Sequence, residues 1–375
     1  MAVLNEEQTM LRDAAKSWAQ ESSPVTRLRA LRDSGSGANF DAGAWAEMGQ
    51  MGWAGVIVPE DFGGSQFGYL SLGLVLEETG RTLTASPLIS TALIGASALT
   101  LAGSDAQKAE WLPRIAEGAV VTALAVDESS HHAPERIALK AEKKGDGYVL
   151  AGKKTFVVDG DAADLLIVAA RTSGKPGETD GISLFLVKAD AAGVSREHLS
   201  LADSRGAAEI TFDGVAGELL GEADKGWATL DAVLDRARIG LSAEMLGSAL
   251  QAFEITLDYL KTRTQFGQVI GTFQSLQHRA AKMFTDLETT RSCIEAALEG
   301  LDAGGGDNRA AASLAKAKAS ELAHLVSNEM VQMHGGIGMT DVHDAGLFLK
   351  RARVAEQLFG GAGFHRDRYA KVLGF

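Results

Sequence analysis

The sequence predicts an α+β protein with a helical N-terminal unit, a small antiparallel β unit in the middle and a C-terminal four-helix bundle. Three observations lead there. Apolar residues recur at helical spacing before Val121, shorten into runs rich in branched residues between Val121 and Phe212, and return to the helical period from Gly226 nearly to the end. At 375 residues the chain is too long for one small core, and about 150 residues per domain gives two or three packed units. The changes of period place the boundaries at 1–118, 119–222 and 223–375.

In the first unit, Leu4 to Ala19 has helical apolar spacing, and Phe40 to Met51 carries Asp41 as a cap. The connection Val58 to Gly64 holds a proline and paired glycines, so it reads as an ordered loop. Helices over Leu70 to Arg81, Leu88 to Ala102 and Ala106 to Ala116 complete the unit.

The middle unit offers strands over Val121 to Val126, Ile137 to Glu142, Tyr148 to Val158, Leu165 to Ala170, Ile182 to Val187 and Glu209 to Phe212. Gly145-Asp146-Gly147 supplies a hairpin turn. Strands that follow one another without helices between them indicate an antiparallel sheet.

Ala228 to Lys261 has no proline and two glycines, which makes one very long helix or two nearly continuous ones. Phe273 to Leu301 and Arg309 to Met333 follow as further helices, joined through Gly304-Gly305-Gly306-Asp307. Another begins at Asp344 and runs towards Val372, broken around Gly360, Gly361 and Gly363. Long antiparallel helices on short turns form a bundle.

Composition excludes several classes of partner. A net charge of -13 makes a sequence-independent grip on phosphate backbones unfavourable, so nucleic acid is not expected. Cys293 is the single cysteine, which forbids an internal disulfide and agrees with a reducing compartment; within a helical pattern it reads as packing. The first helical turns carry Glu6, Glu7 and Asp13 where a signal peptide would be basic and then apolar, so a cytoplasmic protein is expected. Thr82 to Ser104 lacks charge for 23 residues, yet eight are Ser or Thr and Pro87 interrupts it; it reads as a buried helix after a loop, with no membrane span.

The stretch Arg263 to His278 reads RTQFGQVIGTFQSLQH, and Gln332 to Gly338 reads QMHGGIG. Taken alone, an Arg and a Phe three apart at a helix end are a surface charge and a core aromatic, and paired glycines mark a helix end. With Ile270, Phe273, Gln277 and His278 in register, and the second segment at a matching distance, the chain resembles the acyl-CoA dehydrogenase flavoproteins over essentially its whole length. The resemblance implies the same three units, an FAD cofactor and a tetramer built as a dimer of dimers.

Guanidinium suits a pyrophosphate, an aromatic ring can pack on the cofactor, and an amide supplies directed hydrogen bonds. By resemblance, Arg263, Phe266 and Gln274 contact the FAD of the neighbouring subunit, and Gln332, Gly335 and Gly336 line its adenosine half. His334 lies inside that motif and reads as structural. In the middle unit Val126 and the segment Phe156 to Val158 occupy the positions that flank the flavin ring, where many relatives carry Thr-Glu-Pro and a Trp followed by a hydroxyl residue. Backbone groups are left to hold the ring. His131 and His132 follow in a loop and read as solvent-exposed. Asp235 and Arg238, three apart on one helix face, read as a surface ion pair, while the resemblance puts Arg238 beside the thioester.

α,β-Dehydrogenation needs a carboxylate base. Most relatives place it at the position of Phe359 and some at that of Ala237, and variants with an FGD sequence would have it at Gly361. None of the three can accept a proton. Asp235, Glu244 and Glu356 are the weak substitutes, Glu244 being about 10 Å along a helix from Ala237. Gly361 and Gly363 open space at the acyl site, a combination resembling base-lacking subunits of heteromeric enzymes of steroid side-chain or dicarboxylate breakdown. The resemblance therefore implies α,β-desaturation of an acyl-CoA, with Phe359 and Gly360 at the thioester and electrons passed to electron-transferring flavoprotein, in a homo-oligomer or a heterotetramer with a base-bearing sibling. A non-catalytic subunit, or an acyl-CoA oxidase or flavin monooxygenase on the same scaffold, are the alternatives. No metal site is expected.

Overall fold

A computed structural model describes residues 2–37 and 40–375. The helices α1 (Glu6–Ser22), α2 (Val25–Asp33), α3 (Ala42–Gln50) and α4 (Tyr69–Arg81) come first, then a π-helical stretch (Leu88–Gly95) that runs into α5 (Ala96–Ala102), and α6 (Asp105–Ala116). Seven strands follow: β1 (Thr122–Ala125), β2 (Lys140–Lys144), β3 (Gly147–Val158), β4 (Leu165–Arg171), β5 (Ile182–Lys188), β6 (Val194–Ser200) and β7 (Gly206–Leu220). The rest is α7 (Gly226–Thr262), a small hairpin of β8 (Thr264–Gln265) and β9 (Gln268–Val269), α8 (Gln274–Ala303), α9 (Arg309–His334), α10 (Ala345–Gln357) and α11 (Ala362–Val372).

Side chains cap three of the helix starts, the expected one at Asp41 among them. Asn5 and Gln8 form a capping box on α1, Ser104 and Gln107 do so on α6, and the Asp41 side chain accepts from Ala44 N at the start of α3. α7 is a single helix of 37 residues. Among the described residues no helix is long and apolar enough to cross a membrane, and 88–95 is a buried π-helix.

Contacts divide the chain into two compact units. One holds residues 31–68 and 85–237. Its sheet runs β1-β4-β2-β3-β7-β5, with β6 on β7, and the pairing of β5 with β4 closes a ring. Leu150, Leu166, Val168, Phe185, Ile210 and Phe212 fill the interior. The sheet is mixed rather than purely antiparallel: β1 runs parallel to β4 from Thr122↔Leu165 to Ala125↔Val168, and Lys140 pairs parallel with Arg171. The β2–β3 hairpin lies in the crossover between β1 and β4 that a parallel pair needs, and it delivers the chain to the end at which β1 began.

The other unit holds residues 1–30, 69–84 and 238–375. α9 packs against α8, α10 and α11, and α4 against α1 and α8. The Asp302 carboxylate, at the end of α8, accepts from Tyr69 N (2.5 Å) and Leu70 N (2.9 Å), so α4 is capped from another helix. At Gly247 the backbone of α7 lies against Glu77 O of α4, where any β-carbon would collide.

Candidate active site

The turn between α10 and α11 is a tightly constrained piece of backbone. Phe359 has φ +58° and Gly360 φ +103°, both in the left-handed half of the map. A β-carbon on Gly360 would sit 3.0 Å from His365 Nε2 and press on the Phe364 ring, so the turn admits only glycine there. Phe359 is not glycine and holds this conformation because its surroundings impose it.

Those surroundings are basic. Arg238 on α7 has no solvent exposure, and its Nε donates to Phe359 O at 3.3 Å while its guanidinium lies 5.6 Å from the Phe364 ring centre. His365 on α11 is equally buried, with Nε2 3.1 Å from the same oxygen. Burial, then Arg238 and Lys316, push its imidazole down to about 2, so it is neutral with the proton on Nε2. Lys316 on α9 is fully buried and its Nζ reaches Gly360 O (3.1 Å), Ala355 O (3.0 Å), Glu356 O (3.1 Å) and Ser320 Oγ (3.1 Å). Both carbonyls of the turn are thus held from behind. The Phe359 N–H has no hydrogen-bond partner among the described residues.

Asp235 and Arg238 are not a surface pair, since they are 3% and 0% exposed. α7 is covered there, which its mixed sequence did not disclose. Glu244 is buried against Arg351, with Oε1 3.5 Å from Nη1, and Glu356 is bound to Arg353 at 2.7 Å and His324 at 3.2 Å. Both carboxylates are committed to ion pairs, which counts against either as a free base. Ala237 is fully buried, and Gly361 and Gly363 have room for a side chain, the nearest atom to a β-carbon on Gly361 being Gln357 Oε1 at 3.7 Å.

Six residues singled out for the cofactor lie in the helical unit, all exposed. Arg263 closes the turn after α7, and its guanidinium has no ion-pair partner among the described residues. Phe266 is 89% exposed at the tip of the β8–β9 hairpin, with φ +54° followed by Gly267 at +78°, so it is no core aromatic. Gln274 is the first residue of α8, and Gln332 lies in the last turn of α9. Gly335 and Gly336 follow with nothing within 4 Å of where a β-carbon would be. His334 is buried, stacks at 4.3 Å on Tyr259 and on His343, and places Nδ1 2.7 Å from Met330 O.

In the sheet unit, Phe156 has φ +51° and is 44% exposed, while the Val126 and Val158 side chains are buried. The fully buried Lys154 donates to Val126 O (2.8 Å) and to Glu128 Oε1 (2.7 Å), and Thr155 N donates to Asp127 O (2.8 Å). Glu128 also accepts from Ala138 N and Leu139 N at 2.9 and 3.0 Å. The loop 126–128 and the strand before Phe156 are therefore locked together. His132 is not exposed: its side chain is 5% accessible and bound to Asp127 at 2.9 Å. The loop doubles back, placing the ring beside a carboxylate five residues earlier.

Lys154, Lys316 and His365 were not singled out from the sequence. The signal was present for Lys316, which falls on the apolar stripe of α9 with Ala312, Ala315, Ala319 and Ala323, where a lysine needs acceptors.

Three family descriptions match: Acyl-CoA dehydrogenase, N-terminal domain over residues 5–119, middle domain over 127–215 and C-terminal domain over 224–374. The chain is 32% identical to the mitochondrial isovaleryl-CoA dehydrogenase of Pongo abelii, over 94% of this chain and 85% of that one. A solved steroid ACAD variant matches with a TM-score of 0.89 and 32% identity, covering 98% of each chain. Butyryl-CoA dehydrogenase from Megasphaera elsdenii matches with a TM-score of 0.93 and 26% identity, over 100% of this chain and 99% of that one. The architecture of helical, β and helical units agrees with these likenesses, and the chain belongs to the acyl-CoA dehydrogenase family of oxidoreductases.

Proposed function

We propose that the protein is an FAD-binding acyl-CoA dehydrogenase subunit that serves the α,β-desaturation of an acyl-CoA thioester. The observation that carries this reading is the unpartnered Phe359 N–H, on a turn whose two carbonyls are held by Arg238, His365 and Lys316. A fixed donor with no internal partner is what a thioester carbonyl needs as negative charge develops on its oxygen. Polarising that carbonyl acidifies the α-carbon. Gly361 and Gly363 leave room beside the turn for the acyl group.

The exposed groups of the helical unit fit a flavin dinucleotide shared with a second copy. Arg263 offers an uncommitted guanidinium to pyrophosphate, Phe266 an exposed ring, Gln274 and Gln332 directed amides, and Gly335 and Gly336 an open backbone approach. In the sheet unit, Val126, Phe156 and Val158 would flank the ring through their backbones, with Lys154 keeping that backbone in place. FAD supplies the acceptor for the β-hydrogen, and electron-transferring flavoprotein is the proposed onward acceptor.

Phe359, Ala237 and Gly361 provide no carboxylate, and Glu244 is held by Arg351. The base is accordingly assigned to another subunit in a heterotetramer. The same absence favours the second reading, a subunit that keeps fold and interface without turnover. Anaerobic mixing of the FAD-loaded protein with acyl-CoA tests both: flavin bleaching should be slow for the chain alone and fast after coexpression with a base-bearing sibling. Failure to bind FAD in either state sinks the proposal, and FAD binding with no bleaching in either state leaves the non-catalytic reading.

A further inference from the structure

Lys316 is a lysine without solvent exposure and, among the described residues, without a carboxylate bonded to its Nζ. Its four oxygen neighbours are three backbone carbonyls and one hydroxyl. Two of the carbonyls, Ala355 O and Glu356 O, belong to the last turn of α10, where four acceptors have no partner within the helix. The third, Gly360 O, belongs to the turn itself. One side chain from α9 thus ends α10 and holds the carbonyl of the peptide that follows Gly360, so it grips the backbone on both sides of Phe359.

The charge state follows from the acceptors. A neutral amine has two N–H groups and a lone pair that would face a carbonyl, whereas the ammonium offers three donors to this set. Burial opposes the ammonium and pushes it down to about 7, Glu356 draws it up, and Arg238 pushes it down again. The groups facing it are Arg238 from α7, His365 from α11 and Glu356 from α10, and of these only Glu356 is acidic. The negative end of the α10 dipole lies at the same carbonyls and favours a cation.

We propose that Lys316 is a positioning residue: as a buried ammonium that ends α10 and binds Gly360 O, it orients the Phe359 N–H as an oxyanion donor and adds positive potential behind it. This rests on the reading of the Phe359 turn given under Proposed function. The Phe359 N–H shares its peptide plane with the Leu358 carbonyl; Lys316 anchors the backbone before that peptide at Ala355 O and Glu356 O and beyond it at Gly360 O, while Arg238 and His365 hold the Phe359 carbonyl, so the N–H is oriented by backbone fixed on both sides. Lys316 touches no reacting atom in this scheme. Its effect reaches the thioester through the backbone and through the field.

A 3-oxoacyl-CoA probe separates these roles from packing. Acetoacetyl-CoA ionises to an enolate that ultraviolet absorbance reports, so its apparent pKa can be measured on FAD-loaded wild type, Lys316→Met and Lys316→Gln. Wild type is expected to lower that pKa from its free value. Lys316→Met should raise it by about one unit, a tenfold loss of bound enolate at fixed pH, while the affinity for coenzyme A itself changes less than about twofold. Lys316→Gln keeps two donors without the charge and should fall between them; it also serves if Lys316→Met does not fold. An unchanged enolate pKa in both variants overturns the proposal, as does a parallel loss of coenzyme A affinity, which marks a packing role. If wild type binds neither FAD nor the probe, the reading of the turn fails first, and this inference falls with it.

Discussion

Arg351 and Glu244 form an ion pair inside the helical unit, with Nη1 3.5 Å from Oε1 and side-chain exposures of 4% and 10%. Ser248, Ala252, Phe348 and Ala355 help to line the same small cavity. A carboxylate so placed is held by its partner rather than left to take a substrate proton. Removing one member strands the other charge in a poorly solvated place, which typically costs about 3 to 5 kcal/mol. Glu244→Gln is expected to lower the thermal midpoint markedly while leaving flavin reduction per folded, flavin-loaded subunit unchanged. A large fall in that rate with normal stability would return Glu244 to the list of bases.

Arg263→Ala should weaken FAD retention without harming the fold, because the guanidinium is exposed and makes no internal ion pair among the described residues. Each charge-assisted hydrogen bond to phosphate is worth about 1.5 to 3 kcal/mol, so the dissociation constant should rise roughly 10- to 100-fold. Fluorescence of released flavin on dilution measures it. Unchanged affinity contradicts the proposed cofactor site.

Phe266 and Met339 are 89% and 79% exposed, and Val342 86%, an apolar set that water does not favour. If the FAD site is completed by a second copy, light scattering at micromolar concentration should find oligomers, and a monomer of 39.3 kDa should be minor. Phe266→Asp should shift the balance towards monomer and release flavin together. Loss of one without the other would separate assembly from the cofactor.

Much of this arrangement was legible from residue patterns, and what was not has identifiable causes. The long helix α7 and the core strands announced themselves by period, since burial on one side leaves a repeating mark. α2 and β6 did not: α2 buries only Leu28, and β6, with the sequence VSREHLS, is a largely exposed edge strand stabilised by pairing with β7. Parallel pairing of β1 with β4 depends on where the β2–β3 hairpin delivers the chain, which no local pattern encodes. Arg263, Phe266 and the Gly335-Gly336 pair stood out as a motif. Arg238 stood out too, but its burial did not, because charged residues mark a solvent face unless acceptors from distant segments, here Phe359 O, surround them.

Glu77 on α4 gives the helical unit a pH signature. Its carboxyl is pushed up from 4.5 to about 7, by burial first, with Arg291 opposing, Glu78 adding, Arg81 opposing and Glu295 adding. The folded state then binds this proton more tightly than the unfolded chain, so stability falls as pH rises from about 4.5 to about 7 and stays reduced above. Glu77→Gln removes the ionisation. It should stabilise the protein by roughly 1 to 3 kcal/mol at pH 8 and by little near pH 4.5, as thermal unfolding at the two pH values will show. Equal effects at both would mean that the carboxyl titrates normally.

The last prediction concerns the proton acceptor. Phe359 is half-buried on the turn, and Ala237 is fully buried on α7. General-base catalysis contributes about 10² to 10⁴-fold, so wild type alone should bleach its flavin slowly with acyl-CoA. Phe359→Glu changes a side chain whose backbone carbonyl is already held by Arg238 and His365, and the N–H proposed to serve the thioester is retained. It should recover at least about tenfold in rate, a part of the range that a positioned base supplies. Ala237→Glu must bury a carboxylate and a methylene at a position with no exposure, so it should recover less and lower stability. The pH profile decides the cause. A gained rate that rises through the carboxylate range belongs to the new glutamate, whereas fast bleaching by wild type would show that this chain already carries a base, and Asp235→Asn would be the first variant to examine.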